Sequence, residues 1–119
     1  MTSTSRDDHS DIRDAVAKLC ARFPGEYWRG LDREMAYPQA FVDALTESGY
    51  LSVLIPEQYG GSGAGYLELC VIAEEIGRAL APVPFASTIY LATEALMDAG
   101  SEAQKAQWLP RIAAGEVIG

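Results

Sequence analysis

Apolar side chains recur along most of this chain at intervals of three and four residues, the spacing that gives a helix one apolar face. Five stretches show this spacing, and none shows the alternation of a half-buried strand. The first predicted helix begins near Ser10 or Asp11 and stops at Pro24. Its apolar face consists of Ile12, Val16, Leu19 and Phe23. The second begins at Pro38 and ends at Gly49, which suits a left-handed cap. Its apolar face consists of Phe41, Val42 and Leu45.

The third and fourth predicted helices follow a glycine-rich stretch. The third runs from about Gly65 to Leu80 and is apolar enough to be the central helix. Its stripe consists of Leu69, Ile72, Ala73, Ile76 and Leu80. The fourth begins near Pro84, has the cleanest period in the chain and ends at Gly100. Its stripe consists of Phe85, Ile89, Ala92, Leu96 and Ala99.

The fifth predicted helix begins with a local hydrogen-bonding signal. Ser101 is followed three residues later by Gln104, which is the spacing of a capping box. Pro110 lacks an N–H, so we expect it to kink this helix or to split it into two turns. Gly115 is the predicted cap. Leu109 and Ile112 are expected to anchor the helix to the core.

The remaining segments are predicted to connect these helices. Tyr27–Ala36 mixes charged residues with aromatic ones without a clean period, which favours a loop. Tyr50–Ile55 is a short apolar run with no second strand to pair with, so we interpret it as an extended connector. Residues 1–9 are predicted to be a disordered polar tail and residues 10–119 one domain. The predicted fold class is therefore all-α, an irregular, orthogonal bundle of about five helices.

Length and charge restrict the classes of partner. The chain has 119 residues, which fits one domain. Its net charge is −8, from 9 Lys and Arg against 17 Asp and Glu, and this acidic balance argues against nucleic acid or an anionic membrane as a partner. No apolar stretch approaches the ~20 residues that span a bilayer, and no signal peptide opens the chain. We therefore expect a cytoplasmic protein.

Histidine and cysteine offer little chemistry. His9 is the one histidine and lies at the edge of the predicted tail, where a catalytic or metal-binding residue would lack rigid placement. The sequence therefore predicts no metal site. Cys20 and Cys70 are far apart in the sequence, and in a reducing compartment we expect two buried free thiols.

Two other patterns suggest a site but fail on spacing. Glu74 and Glu75 point about 100° apart on a helix, so they favour a solvated face with one partly buried member over an acid–base pair. Glu74 and Arg78 have the spacing of a surface ion pair. The run Gly60–Gly65 has Tyr66 where a dinucleotide fingerprint needs glycine, and it lacks the lysine of a phosphate-binding loop. Glycines with positive φ in a turn explain it better.

Four segments in order resemble the acyl-CoA dehydrogenase family. Ile55–Gly63 (IPEQYGGSG) resembles the family's (V/I)PE-x-(Y/F)GG-x-G turn, and Leu45–Leu54 resembles the helix end that precedes it. Ala73–Phe85 resembles a helix and hinge of bacterial members. Ala99–Arg111, followed by Ala114–Glu116, resembles the stretch G-(S/T)-x-x-Q-K-x-x-(Y/W)-L-P-x-(L/I)-x-x-G-E. The resemblance covers nearly everything after the tail.

This resemblance implies the N-terminal helical domain of a three-part enzyme. Members of the family bind FAD between a middle β-barrel and a C-terminal helical bundle, and they oxidise an acyl-CoA between its α and β carbons. A glutamate takes the α proton, the flavin takes the β hydride, and electrons pass to an electron-transfer flavoprotein. The flavin-contacting strands and the glutamate belong to segments beyond Gly119. The resemblance thus predicts no catalytic and no cofactor-binding residue here, so the chain alone is expected to be inactive and free of FAD.

The resemblance also implies a place for the fourth helix, which closes the far end of the acyl pocket in the family. Alignment back from Gly100 places Val83, Ser87, Thr88 and Leu91 at or near that wall. Each of these residues could instead be an ordinary core or surface position. We expect a homo- or hetero-oligomer, with the domain stabilising its subunit.

Two alternative functions remain open at the level of sequence. Acyl-CoA oxidases, nitroalkane oxidases and some two-component flavin monooxygenases share this helical domain. A non-catalytic interaction module is the other alternative, and it would expose apolar surface. Candidates for that surface are Trp108, Leu109 and Ile112.

Overall fold

The computed structural model describes the backbone of residues 4–119 and the side chains of residues 9–119. All regular structure in this range is helical, so the predicted all-α class is confirmed. The α-helices are α1 (Thr4–Ala21), α2 (Gly25–Glu34), α3 (Gln39–Glu47), α4 (Tyr66–Arg78), α5 (Glu94–Ala99) and α6 (Glu102–Ala113). Short 3₁₀ turns cover Tyr50–Ser52 and Glu57–Tyr59, and a π-helix covers Ala86–Thr93. Among the described helices, none is both long and apolar enough to cross a bilayer.

The helices form a flat body with Cα extents of 46 × 43 × 19 Å. The short dimension fits two helix layers, since packed helix axes lie about 8–10 Å apart. α1 lies along α4, which contributes Leu69, Ile72 and Ile76 to the main core. Most buried apolar side chains form one core between α1, α3, α4 and the π-helix. A smaller cluster of Ile55, Leu109 and Ile112 fixes α6 to the turn that precedes α4.

α1 begins earlier than the sequence pattern indicated. Its first residue is Thr4, so the predicted start near Ser10 or Asp11 is wrong, and residues 4–9 of the predicted tail are helical. Among the described side chains of α1, the buried ones are Val16, Leu19 and Cys20 in its later turns, so the apolar period marks those turns and not the start of the helix. The disorder predicted for residues 1–3 falls outside the described residues, and the domain boundary at residue 10 stays a prediction.

An ion-pair network joins α1 to α4. Arg13 Nη1 donates to Glu75 Oε1 at 2.8 Å and to Glu74 Oε2 at 2.9 Å, and these hydrogen bonds raise the pKa of Arg13. The Glu75 side chain is only 6% exposed, and its other oxygen lies 3.4 Å from Arg78 Nε. The predicted Glu74–Arg78 pair is therefore wrong, because the contact with α1 engages Glu74 and leaves Arg78 to Glu75. The expectation of one buried member in the Glu74–Glu75 pair is confirmed.

α2 occupies the segment Tyr27–Ala36 that was predicted to be a loop. Its aromatic side chains pack edge to face in a cluster whose neighbouring ring centroids are 4.9 to 5.1 Å apart. The members of this aromatic cluster are Phe23, Tyr27, Trp28 and Phe41. Trp28 Nε1 also donates to the Phe23 carbonyl at 3.0 Å. Long-range packing against α3 thus stabilises α2. The apolar residues of α2 itself extend over too few positions to predict a helix.

The turn after α3 is tight and not extended. Gly49 has a φ of 80°, which confirms its predicted left-handed cap. The following residues Tyr50–Ser52 form a 3₁₀ turn, so the prediction of an extended connector is wrong. With no strand beside it, this segment satisfies its own backbone groups locally, as in the bond from Ile55 N to the Ser52 carbonyl at 3.1 Å.

α4 ends before its predicted last residue. Leu80 has a φ of 55° and is 84% exposed, so its predicted place in the apolar stripe is wrong. The chain turns there because Leu80 N bonds the Gly77 carbonyl at 3.0 Å and Ala81 N bonds the Ile76 carbonyl at 3.3 Å. These two bonds are those of a Schellman motif, which ends a helix with one residue in the left-handed conformation. That residue is Leu80.

The start and end of α6 agree with the sequence, and of the two effects expected of its proline, a kink or a split, the split is wrong. Ser101 N donates to Gln104 Oε1 at 2.9 Å and Gln104 N donates to Ser101 Oγ at 3.1 Å, which confirms the capping box. Gly115 has a φ of 74°, as predicted for its cap. α6 continues through Pro110 without splitting, because the buried residues on either side hold both halves against the core.

The apolar residues of α6 are less available than expected. Leu109 is 0% and Ile112 3% exposed, so their assignment to an exposed interaction surface is wrong. Trp108 is half-buried and carries the Arg111 guanidinium 5.2 Å from its ring centroid. This face of α6 packs against Ile55 in the small cluster, a contact that the spacing of apolar residues cannot predict.

The two cysteines are free, but only one is buried. Cys20 lies in the main core, where burial raises the pKa of its thiol and Glu75 adds to the effect. Cys70 is exposed on α4, so the prediction of two buried thiols is wrong for this residue. Cys70 lies outside the helical stripe formed by Leu69, Ile72 and Ile76, which accounts for its exposure.

Candidate functional site

The predicted fourth helix contains the most unusual backbone in the described chain. Ala86–Thr93 is a π-helix that continues directly into α5. In a π-helix the N–H groups bond carbonyls five residues earlier, and such segments frequently occur at functional sites. We call Ala86–Thr93 the π-segment. The prediction of a regular helix from Pro84 to Ala99 is thus correct in extent and wrong in winding.

The π-segment is stabilised from within by two buried threonines. Thr88 and Thr93 are both 0% exposed. Thr93 Oγ1 donates to the Thr88 carbonyl at 2.8 Å, over the same five residues as a π-helical bond. A buried hydroxyl without a partner would be costly, so this bond also explains how an apolar core tolerates Thr93.

The four residues predicted for the pocket wall do not share one face. Thr88 points into the core, whereas Leu91 is 69% exposed. Val83 and Ser87 are half-buried, and Ser87 Oγ donates to the Pro84 carbonyl at 3.5 Å. The alignment had treated these positions as neighbours on an α-helix, where residues three apart lie about 60° from each other. The wider winding separates Thr88 from Leu91.

The end of the chain lies across the same segment. Gly119 N donates to Thr88 Oγ1 at 3.2 Å. A Cβ on Gly119 would overlap the Cβ of Ala92 and would lie 3.2 Å from the Ser87 carbonyl oxygen, so the backbone approach here requires glycine. The π-segment is therefore packed between the core on one side and residues 117–119 on another.

Aromatic residues beside the π-segment were missed by sequence reasoning. Tyr90 is 39% exposed and packs edge to face on Phe85, with centroids 5.9 Å apart. Burial raises the pKa of Tyr90, and Cys70 adds to the effect. Tyr66 OH donates to Glu94 Oε2 at 2.8 Å, and this bond raises the pKa of Tyr66. The helical period of apolar residues gives no signal that these two tyrosines are exposed.

The glycine-rich turn does not fit a flavin or a nucleotide. Its N–H groups already bond carbonyls of the preceding turn, with Gly61 N to Pro56, Ser62 N to Ser52 and Gly63 N to Ile55 at 2.9 to 3.2 Å. A phosphate-binding loop needs such N–H groups free and convergent. The turn is therefore structural, and the positive φ predicted for Gly60, Gly61 and Gly63 is confirmed at Gly60 and Gly63 and wrong at Gly61.

The described side chains also supply no metal centre. Within residues 9–119, no three His, Cys, Asp or Glu side chains are grouped so that they could hold an ion. His9 Nε2 lies 3.9 Å from Glu68 Oε1, between α1 and α4. The histidine thus belongs to the helix contact.

Comparison with known proteins identifies the family. The family model “Acyl-CoA dehydrogenase, N-terminal domain” matches residues 6–116. A (2S)-methylsuccinyl-CoA dehydrogenase of Cereibacter sphaeroides is 37% identical over 87 residues, which cover 72% of this chain and 16% of that protein. The mitochondrial isovaleryl-CoA dehydrogenase of Pongo abelii is 34% identical over 117 residues, 95% of this chain and 28% of that protein.

A solved structure agrees with these relatives. A variant of the Tcur3481-Tcur3483 steroid ACAD superposes with a TM-score of 0.84 at 27% identity, over 94% of this chain and 31% of that one. This chain thus spans less than a third of each of these three proteins. The chain belongs to the acyl-CoA dehydrogenase family and corresponds to its N-terminal domain.

Proposed function

We propose that this chain is the N-terminal domain of an FAD-dependent enzyme that removes one hydrogen from each of the α and β carbons of an acyl-CoA thioester. Family membership supports the reaction class, and both curated relatives are named as dehydrogenases of particular acyl-CoA compounds. In this enzyme the chain closes the far end of the acyl pocket and stabilises the subunit.

The exposure of Leu91 is the observation that carries the wall proposal. Leu91 is a large aliphatic side chain that remains 69% exposed on a helix whose other face is in the core. Leu67, which is 59% exposed, and Tyr90 are further exposed apolar side chains. Apolar side chains of this size suit contact with an acyl chain, because burying them against it removes apolar area from water on both sides.

In our proposal, this chain has no part in binding the cofactor or the electron acceptor. The turn that came closest to a phosphate-binding loop has its N–H groups engaged, so we assign FAD to other parts of the enzyme. When bound there, FAD supplies the hydride acceptor that the reaction needs. An electron-transfer flavoprotein is the proposed redox partner. The exposed apolar side chains also support a homo- or hetero-oligomer, or a covering domain.

Enlarging residue 91 is expected to shorten the pocket. In the complete enzyme that carries this segment, Leu91→Trp should lower kcat/KM for palmitoyl-CoA by about 10-fold or more relative to butyryl-CoA, because added bulk in an apolar pocket discriminates on this scale. The measurement is steady-state reduction of an artificial electron acceptor with acyl-CoA substrates of increasing length.

Met35→Trp is the matched control, since Met35 is 93% exposed and lies at the C-terminal cap of α2, outside the π-segment. It should leave the ratio of the two specificity constants within about 2-fold of the unmodified enzyme, as expected of a surface substitution. An unchanged ratio in Leu91→Trp would contradict the wall assignment. Absence of any acyl-CoA oxidation in the unmodified enzyme would contradict the proposed reaction.

A further inference from the structure

The π-segment places a threonine in the core where the predicted stripe has an alanine. The predicted stripe continues from Ile89 to Ala92, but the buried residue after Ile89 is Thr93, which is 0% exposed, and Ala92 is only half-buried. A residue four positions after Ile89 lies on the same face in an α-helix as well, so the burial of Thr93 fits both windings. The hydrogen bond of its hydroxyl distinguishes them.

This arrangement depends on a side-chain bond that a regular helix does not use. A threonine in an α-helix normally bonds a carbonyl three or four residues earlier, as Thr46 Oγ1 does with the Val42 carbonyl at 2.8 Å. Thr93 Oγ1 instead reaches the Thr88 carbonyl, five residues earlier, at the same distance. Thr46 and Thr93 thus show the side-chain bonds typical of the two windings.

A second contact depends on the same winding. Gly119 fits against the π-segment without space for a Cβ, directly beside Ala92, and its N–H donates to Thr88 Oγ1. The segment that ends at Gly119 is therefore fitted to the π-helical form of this helix.

From these contacts we infer that Thr93 is a positioning residue for acyl-chain specificity, because its hydroxyl holds the π-helical winding of the segment that carries Leu91. The inference rests on the proposed function of this chain. Without the hydroxyl, the helix relaxes towards α-helical winding, residues beyond Ile89 rotate relative to the core, and Leu91 changes its position at the pocket end. Thr93 itself is buried and touches no substrate.

The test uses the complete enzyme and three variants at one position. Thr93→Val keeps the volume and branching but removes the donor, whereas Thr93→Ser keeps the hydroxyl. For Thr93→Val we expect the ratio of kcat/KM for palmitoyl-CoA to that for butyryl-CoA to change by about 10-fold, mainly through KM. For Thr93→Ser the ratio should stay within about 2-fold of the unmodified enzyme, because the hydroxyl restores the bond.

The outcomes separate this inference from the proposed function. An unchanged substrate profile in a folded Thr93→Val enzyme overturns the positioning role, even if Leu91→Trp behaves as proposed. An equal loss of kcat for every substrate also overturns it, since that result indicates a merely structural role. If Thr93→Val fails to fold, Thr93→Ala replaces it, and the same change of profile is required. If Leu91→Trp has no effect, the wall assignment itself fails, whatever Thr93 does.

Discussion

Replacing Gly61 with alanine is expected to destabilise the domain by about 3 kcal/mol or more. A Cβ at this position would overlap the carbonyl oxygen of Ile55. Backbone atoms cannot move aside as a flexible side chain can, and Ile55 is 0% exposed in the small core cluster with α6. The substitution therefore forces apart two strongly constrained pieces of backbone. Urea unfolding followed by far-ultraviolet circular dichroism measures the loss.

Gly77→Ala is the control for this prediction. Gly77 lies inside α4, and a Cβ there meets nothing within 4 Å. Alanine should stabilise the domain by about 0.5–1 kcal/mol, because it lowers the entropy cost of forming the helix. Equal effects of the two substitutions would show that the contact with Ile55 does not determine the requirement for glycine at residue 61.

Truncation of Phe41 to alanine is the second large effect, with an expected loss of about 3–5 kcal/mol. Phe41 is 0% exposed, and its ring contacts Phe23 at a centroid distance of 5.0 Å and Trp28 at 5.1 Å. Its removal opens a cavity and also removes the ring against which Trp28 of α2 packs. Helical content should therefore fall, and the Trp28 emission should shift to longer wavelength in the native state.

Met35→Ala provides the comparison for Phe41→Ala. Met35 is 93% exposed, so its truncation should change the free energy of unfolding by less than about 0.5 kcal/mol. If Phe41→Ala has a similarly small effect, the aromatic cluster does not hold α2 against α3, and the explanation given for α2 is incorrect.

Local signals explain which parts of the fold could be predicted from the sequence. The capping box of Ser101 and Gln104 and the left-handed caps at Gly49 and Gly115 depend on residues within a few positions of each other. Such features are readable because the partners are adjacent in the chain. The family motif at Ile55–Gly63 is of the same kind, since it encodes a turn.

Long-range contacts explain what could not be predicted. α2 requires Phe41 from the next helix, and the pairing of Glu74 with Arg13 requires the packing of α1 on α4. The spacing in a single helix contains neither partner. The sequence does predict that Leu109 anchors α6 to the core, but not that its partner there is Ile55.

At the candidate site, the spacing of apolar residues does not determine how the helix is wound. Apolar residues at intervals of three and four are compatible with both α-helical and π-helical winding over two turns, so Ile89 fits either one. Thr93 decides between them through its bond to the Thr88 carbonyl, and no periodicity of apolar residues registers that hydroxyl. The placement of the pocket wall on this helix stays a prediction, and its grouping of Thr88 with Leu91 joins a buried residue to an exposed one.

Photo-crosslinking in the complete enzyme tests the central claim, that the helix containing the π-segment contacts the far end of the acyl chain. The probe is an acyl-CoA that carries a diazirine at the ω carbon. Tryptic cleavage after Arg78 and Lys105 releases residues 79–105, with all four candidate wall residues, as one peptide. We expect the label in this peptide, and its loss when excess unmodified acyl-CoA competes. Label confined to other peptides, or unaffected by the competitor, would contradict the account.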